Sequence, residues 1–111
     1  MACNESLAQR IRQRLARRKK VEEKRMFGGI GFLLNGNLLV GVWKDSLIAR
    51  HSPDEGEAAL REPHVKEFDI TGRPMKGWVL VGPGGVEDHG QLQGWIGRAT
   101  RFVRTLPAKE K

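Results

Sequence analysis

The side chains able to act as nucleophiles, bases or metal ligands are few in this sequence and lie far apart. Cys3 is the only cysteine, and His51, His64 and His89 fall in predicted turns or at the edges of predicted elements. Nucleophilic catalysis needs a serine or cysteine beside a base, and zinc sites usually show paired cysteines or histidines at short spacing. Neither pattern occurs here. We therefore expect ordinary surface histidines, and we predict no catalytic residue, no metal site and no cofactor.

Two groups of carboxylates could suggest acid–base chemistry. The first group contains three acids within residues 54–57, and the second is the pair Glu87 and Asp88. Both groups fall in predicted first turns of helices, where a carboxylate is stabilised by the helix dipole and by free backbone N–H groups. We interpret them as helix-capping residues.

The glycines of Gly28-Gly29-Ile30-Gly31 resemble a phosphate-binding loop only superficially. Such a loop leads into the N-terminus of a helix, whereas the residues after Gly31 favour a strand. Glycine within a strand indicates a bulge or a close approach of another backbone. We predict that role for Gly29 and Gly31.

Positive charge near the N-terminus is the strongest chemical signal. The chain has 20 basic and 13 acidic residues, and nine of the basic residues but only three acids fall within residues 1–25. A basic helix binds phosphates by releasing their counterions, so residues 10–25 are a candidate nucleic-acid or other anion contact. The candidate contact residues are Arg10, Arg14, Arg17, Arg18 and Lys19. An acidic protein partner, simple solubility and an anionic membrane surface are the open alternatives.

Three tryptophans could form a stacking surface for bases or for another ligand. Trp95 falls on the apolar stripe of a predicted helix and Trp78 begins a predicted buried strand, so both are expected in the core. Trp43 ends a predicted strand beside Lys44. We therefore consider Trp43 alone as an exposed contact residue.

The elements that must position these residues alternate between helix and strand. Apolar residues at every fourth position predict a helix over 5–20. Asn35-Gly36 between two apolar runs predicts a β-hairpin. With a regular two-residue turn, one face carries Ile30, Phe32, Leu39, Gly41 and Trp43, and the other carries Gly29, Gly31, Leu33, Leu38, Val40 and Val42. Both faces are apolar, so the hairpin should lie in the middle of a sheet or have a partner on each side.

The rest of the chain predicts a third strand at 47–50, a helix starting at Ser52-Pro53, strands at 65–70 and 78–81, and a helix capped by Asp88. The order α-β-β-β-α-β-β-α indicates an α+β fold with about five antiparallel strands packed with helices. We expect a basic N-terminal helix or arm over 1–25, an α+β domain over 26–106 and a tail over 107–111.

Two stretches resemble the N-terminal domain of the TfoX/Sxy family. The first is the run from Lys24 to Phe32, and the second is Met75-Lys76-Gly77-Trp78 followed by Gly82-Pro83, Asp88, Trp95 and Ala99. Together they span roughly residues 21–106. The most specific part contains Met26, Phe27, Gly28, Gly29 and Gly31, which we expect to be structural.

The resemblance implies a fold like that of type III secretion chaperones, here without the helical C-terminal domain of the two-domain regulators. It also implies a context, because these bacterial regulators of natural competence work with the cyclic-AMP receptor protein at promoters. We therefore predict a non-enzymatic regulatory or adaptor domain linked to transcription regulation. Its body would bind a protein partner, which could be a second copy in a homodimer, and its basic helix would contact an anionic partner. The alternative is a small-ligand or nonspecific nucleic-acid binding module.

The sequence contains no signal for export or for a membrane span. No apolar run approaches the ~20 residues that a transmembrane helix needs, and the first residues lack the apolar stretch of a secretory signal. A single cysteine excludes an intrachain disulfide, which fits a reducing compartment. We expect a cytoplasmic protein.

Overall fold

Helices and strands alternate along the chain in the computed structural model, which describes residues 5–18, 20–26, 29–69 and 76–107. Within these residues the elements are α1 (Glu5–Arg14), β1 (Val21–Met26), β2 (Gly29–Leu34), β3 (Asn37–Trp43), β4 (Ser46–Arg50), α2 (Pro53–Ala59), β5 (Val65–Glu67), β6 (Trp78–Val81), a short 3₁₀ helix (Pro83–Gly85) and α3 (His89–Val103). The strands form one antiparallel sheet in the order β1-β2-β3-β4-β6-β5. The predicted α+β class is confirmed, with six strands rather than about five.

The additional strand is β1, which lies at one edge of the sheet. It pairs with β2 along its whole length, from Val21 opposite Leu34 to Met26 opposite Gly29. Its sequence is mostly charged and its residues 22–25 are exposed, so no apolar alternation marks it as a strand. Charged edge strands are common because they discourage pairing with other chains. The predicted boundary at residue 25 falls inside β1, and α1 ends at Arg14 rather than at residue 20.

The turn between β2 and β3 is the predicted two-residue turn. Leu34 lies opposite Asn37, and the residues between them, Asn35 and Gly36, have φ values of 54° and 83°. Both angles are in the left-handed region, which asparagine and glycine adopt at low cost. The Asn37 side chain also donates a hydrogen bond of 2.9 Å to the Pro107 carbonyl, which fixes the last described residue against this hairpin.

A bulge in β3 changes the predicted faces of the hairpin. Leu39 is an extra residue, so Val40 lies opposite Phe32 and Val42 opposite Ile30. Opposite residues share a face, and one extra residue inverts the alternation beyond it. The prediction that Val40 and Val42 face away from Ile30 and Phe32 is therefore wrong.

All three described helices pack on one face of this sheet and form the main core. α3 lies over the middle strands β3 and β4, while α1 packs near β3 and α2 near β6. The core contains three buried residues of α1, namely Leu7, Ala8 and Ile11, and also Leu15 just after it. The basic N-terminal helix is thus anchored by its apolar stripe, and its arginines are left on its other sides.

The opposite face of the sheet has a smaller apolar cluster. Leu38, Ile48, Phe68 and Leu80 are buried there, and Trp43 and Trp78 pack against them. The prediction that both faces of the hairpin are covered by apolar contacts is confirmed, although the members of each face differ.

The starts of α2 and α3 follow the predicted capping residues. The Ser52 hydroxyl accepts a hydrogen bond of 3.3 Å from the backbone N–H of Glu55. The Asp88 carboxylate accepts from the N–H groups of Gly90 and Gln91 at 2.9 and 3.2 Å, and the Gln91 side chain accepts from the Asp88 N–H at 3.0 Å. Asp88 therefore has the structural role expected from the sequence.

A tight backbone contact joins the start of α2 to the residue before β6. Gly77 has φ of 86°, and its carbonyl accepts a hydrogen bond of 2.7 Å from the His51 N–H. A Cβ on Gly77 would lie 2.3 Å from the His51 carbonyl oxygen, and a Cβ on Gly56 would lie 2.5 Å from the Gly77 Cα. Glycine is therefore required at both positions.

Two glycine-to-alanine substitutions should change stability in opposite directions. Gly77→Ala should lower the free energy of unfolding by more than ~1 kcal/mol, because it adds a clash at a positive φ. Gly94, inside α3, has open space for 4 Å around the point that an alanine methyl would occupy, so Gly94→Ala should raise stability by about 0.5–1 kcal/mol. Urea denaturation of the two variants measures both effects. A Gly77→Ala protein as stable as the wild type would show that the close contact is not a constraint.

Candidate anion-binding groove

Four arginines from two helical segments line a groove between α1 and α3. Arg14 ends α1 and Arg18 follows it, while Arg101 lies in the last turn of α3 and Arg104 caps that helix. The groove has a volume of about 320 Å³, and none of its described lining residues is acidic. Its described lining therefore has a charge of +4.

The two apolar stripes explain why these arginines meet. Leu15 and Ile96 are both buried, at 5% and 4% exposure, and they form the floor between the two segments. Arginines on either side of that floor then project from its rims. The helix dipole favours cations near the C-terminal end of a helix, so it stabilises arginines at these positions. Four guanidinium groups without a carboxylate partner in one groove nevertheless repel each other.

The groove arginines have no carboxylate partner within the described part of the chain. The salt bridges found there join Arg12 to Glu23 and Arg98 to Glu62. Gly97 on the α3 side has open space where a side chain would be, so a ligand can approach the helix backbone closely. Unpaired arginines beside an accessible backbone favour the binding of an anion with several oxygen atoms.

The sequence-predicted arginines do not all reach this groove. Arg14 and Arg18 line it, whereas Arg17 is exposed and is not among its lining residues. Arg10 points elsewhere, because its guanidinium donates a hydrogen bond of 3.3 Å to the Glu87 carbonyl. Lys19 lies outside the described residues.

Arg12 has a structural partner on the edge strand. Its Nε and Nη2 atoms donate to the two Glu23 carboxylate oxygens at 2.8 and 2.7 Å. The hydrogen bond from Arg12 holds the pKa of Glu23 below its usual value, and the same bond raises the pKa of Arg12. Both side chains are about two-fifths exposed, so the pair contributes little to stability. It orients α1 against β1 and removes Arg12 from the groove.

Sequence reasoning missed Arg101 and Arg104. They lie more than eighty positions after Arg14, in a predicted helix. The apolar stripe of that helix can be recognised in the sequence, but the elements that pack beside the helix cannot. The only local signal is that both follow the stripe residue Ala99 on the polar sides of α3. Which polar side faces α1 depends on the order of helices over the sheet.

The other predicted contact and motif residues lie away from the groove. Trp43 is half-buried on the sheet face opposite the helices, and its ring is 4.7 Å from the Lys44 Nζ. A Cβ on Gly29 would lie 1.9 Å from the Val42 carbonyl oxygen, which supports the predicted close approach of backbones. Gly31 pairs with Gly41 inside the sheet.

The remaining motif residues and the other two tryptophans have separate positions. Met26 ends β1, and Phe27 and Gly28 lie outside the described residues. Trp95 is 6% exposed, and its indole N–H donates to the Gly85 carbonyl at 3.2 Å, so its predicted core position is confirmed. Trp78, also predicted in the core, is only half-buried, beside Phe68 and the Arg50 guanidinium.

The expectation of a surface histidine is wrong for His51, which is 2% exposed. Its ring meets the Trp95 ring edge-to-face, with centroids 5.7 Å apart, and its two nitrogens are buried beside the backbone of Ala49 and Gly77. Burial and the nearby positive charge of Arg98 lower the pKa of His51. His51 is therefore neutral at physiological pH, and it lines a second hollow, between α2 and α3.

Metal-binding clusters and membrane-spanning helices are both absent from the described residues. Histidine, cysteine and carboxylate side chains do not gather there in any group of three that could hold a metal ion. No helix in the same residues is long and apolar enough to cross a membrane.

The buried imidazole should make stability depend on pH. Above the unfolded-state pKa of 6.5 both states hold a neutral ring. As the pH falls through that value, His51 becomes protonated in the unfolded chain but stays neutral in the folded protein. The free energy of unfolding therefore falls until the pH passes the folded-state pKa. The carbonyls of Ala49 and Gly77 and the charge of Glu55 oppose the lowering of this pKa but do not cancel it.

Urea denaturation between about pH 8 and about pH 5 should show this slope. His51→Gln should reduce the slope and His89→Gln, at an exposed position, should not. Equal slopes in all three proteins would contradict the assignment.

Comparison with known proteins identifies the fold. The model of the TfoX N-terminal domain family matches residues 13–103 of the 111-residue chain, a span that includes β1, the central hairpin and the whole of α3. No curated protein and no solved structure matches the chain. The match covers most of the chain and agrees with the resemblance carried by the glycine-rich and Met-Lys-Gly-Trp stretches. The chain therefore belongs to the TfoX N-terminal domain family.

Proposed function

We propose that this domain is a non-enzymatic regulatory or adaptor module that holds the phosphate backbone of a nucleic acid in the α1/α3 groove. One observation carries the proposal: Arg14, Arg18, Arg101 and Arg104 line a single groove without a neutralising acid among the described residues.

Phosphate oxygens match the chemistry of this groove. Arginine presents a planar set of donors that binds two oxygens of one phosphate at once, and it remains charged at any physiological pH. A polyanion also releases counterions when arginines neutralise its phosphates, which adds an entropic term. A ligand with several phosphates in a row is therefore favoured over a single small anion.

The lining favours nucleic acid over an acidic protein segment. Protein interfaces are organised around apolar and aromatic anchors. Here the apolar lining residues Leu15 and Ile96 are almost fully buried by the domain itself. What the groove exposes is guanidinium groups, the Gln93 side chain and the backbone at Gly97.

Contacts of this kind position a protein on nucleic acid without reading its sequence. Selectivity for a promoter would come from a protein partner, which fits regulators that act together with the cyclic-AMP receptor protein. In this scheme the α+β body binds the protein and the groove adds nonspecific affinity for the adjacent backbone.

A titration of fluorescent duplex DNA at several salt concentrations tests the groove. With four phosphate contacts the slope of log affinity against log salt is about −3.6, so raising salt from about 50 to about 200 mM weakens binding on the order of 100-fold. The double variant Arg101→Gln/Arg104→Gln should weaken binding at low salt and bring the slope to about −1.8.

The matched control is Arg61→Gln/Lys66→Gln, which removes the same charge from exposed residues outside the groove. It should retain the wild-type slope. Equal loss in both double variants would show that net charge alone attracts DNA and would overturn the groove. Tighter binding of poly-L-glutamate than of DNA would assign the groove to an acidic protein segment instead.

A further inference from the structure

The outer side of the edge strand β1 presents backbone groups that no other strand uses. Directly before β1, the Lys20 carbonyl accepts a hydrogen bond of 3.0 Å from the Asn35 N–H, so the even-numbered residues of β1 direct their backbone groups toward β2. Backbone groups of an antiparallel strand alternate between its two sides. Those of Val21, Glu23 and Arg25 therefore point outward, where the described strands offer them no partner. Such an edge can accept a further strand.

The charges of β1 match those of the same strand running in the opposite direction. Two acids, Glu22 and Glu23, are followed by two bases, Lys24 and Arg25, and all four residues are exposed. Charges on an edge discourage a partner strand of arbitrary sequence. A second copy of β1, laid antiparallel, instead places its bases beside the acids of the first copy and its acids beside the bases. Charge complementarity therefore favours one occupant of this edge, which is a second copy of the chain.

Symmetry limits the register of this pairing. A two-fold axis perpendicular to the sheet keeps each face continuous between the copies, so residues that meet must lie on the same face of β1. A pairing centred on Glu23 meets this condition. It sets Glu22 opposite Lys24 of the second copy, twice by symmetry, and Val21 opposite Arg25. The outward backbone groups of all three odd-numbered residues then find hydrogen-bond partners.

The residue on the axis is the one that meets its own copy. Like charges directly opposite each other are destabilising, but the Glu23 carboxylate already accepts from Arg12 of its own chain at 2.8 and 2.7 Å. A pairing centred on Lys24 would set two lysines against each other, and Lys24 has no carboxylate partner among the described salt bridges. The centre at Glu23 is therefore the favoured one.

We infer that two copies of this domain pair antiparallel through β1, around Glu23, and join their six-stranded sheets into one continuous sheet. Standard protein interfaces use roughly 20–30 residues a side, and one strand supplies far fewer. The dimer is therefore weak, and its population depends on protein concentration. Because the two-fold axis is perpendicular to the sheet, the helices of both copies lie on the same side of it.

Amide hydrogen exchange of the full-length protein, followed by NMR as its concentration is raised, tests the pairing without any nucleic acid. The N–H groups of Glu22 and Lys24 bond to β2 and should be protected at every concentration. Those of Val21, Glu23 and Arg25 should exchange rapidly in the monomer and lose that rapid exchange as the dimer forms. Sedimentation equilibrium of the same samples gives the dimer fraction. The inference is overturned if no dimer forms, or if a dimer forms and these three amides stay unprotected.

Charge-reversal variants test the register. Glu22→Lys and Lys24→Glu each place like charges opposite each other twice, so each should weaken self-association about tenfold or more. An equimolar mixture of the two variants should associate again, because every lysine of one then faces a glutamate of the other.

The matched controls change the net charge equally at exposed residues outside β1, and they are Glu57→Lys and Lys66→Glu. Both should retain the wild-type affinity. Equal losses in the control and β1 variants would show that net charge alone governs self-association and would overturn the inference. A mixture of the two β1 variants that stays monomeric would overturn it as well.

Discussion

The packing of α3 on the middle of the sheet is the interaction on which both cavities depend. Its apolar stripe is buried against β3 and β4, and each of the larger aliphatic side chains in it contributes about 1.5–3 kcal/mol. The buried members are Leu92, Trp95, Ile96, Ala99 and Val103. Because the stripe occupies one side of the helix, its flanks face α1 on one side and α2 on the other. The arginine groove and the His51 hollow are therefore the two flanks of a single helix.

The parts of the fold that could be predicted are those that local chemistry fixes. Asn35-Gly36 forms its turn because both residues tolerate positive φ, and Asp88 starts α3 because its carboxylate meets nearby N–H groups. β1 carries no comparable signal, since it is a strand only through its pairing with β2. The bulge at Leu39 has the same character, because a register shift is decided by the partner strand and by packing on both faces.

The candidate sites show the same division between local and long-range causes. Arg14 and Arg18 can be found from the sequence because basic residues are dense around them, but their neighbours Arg101 and Arg104 depend on how α3 lies beside α1. The sequence favours a surface position for His51 because it follows a strand and precedes a helix cap. In the folded protein its ring instead meets Trp95, a residue distant in the chain, so its burial depends on long-range packing.

Arg101 connects the two cavities, because it lines both the arginine groove and the His51 hollow. One guanidinium has a fixed set of donors, so donors that Arg101 directs toward the hollow are not available to a phosphate in the groove. The two flanks of α3 are therefore not independent, because a change at Arg101 alters the lining of both cavities.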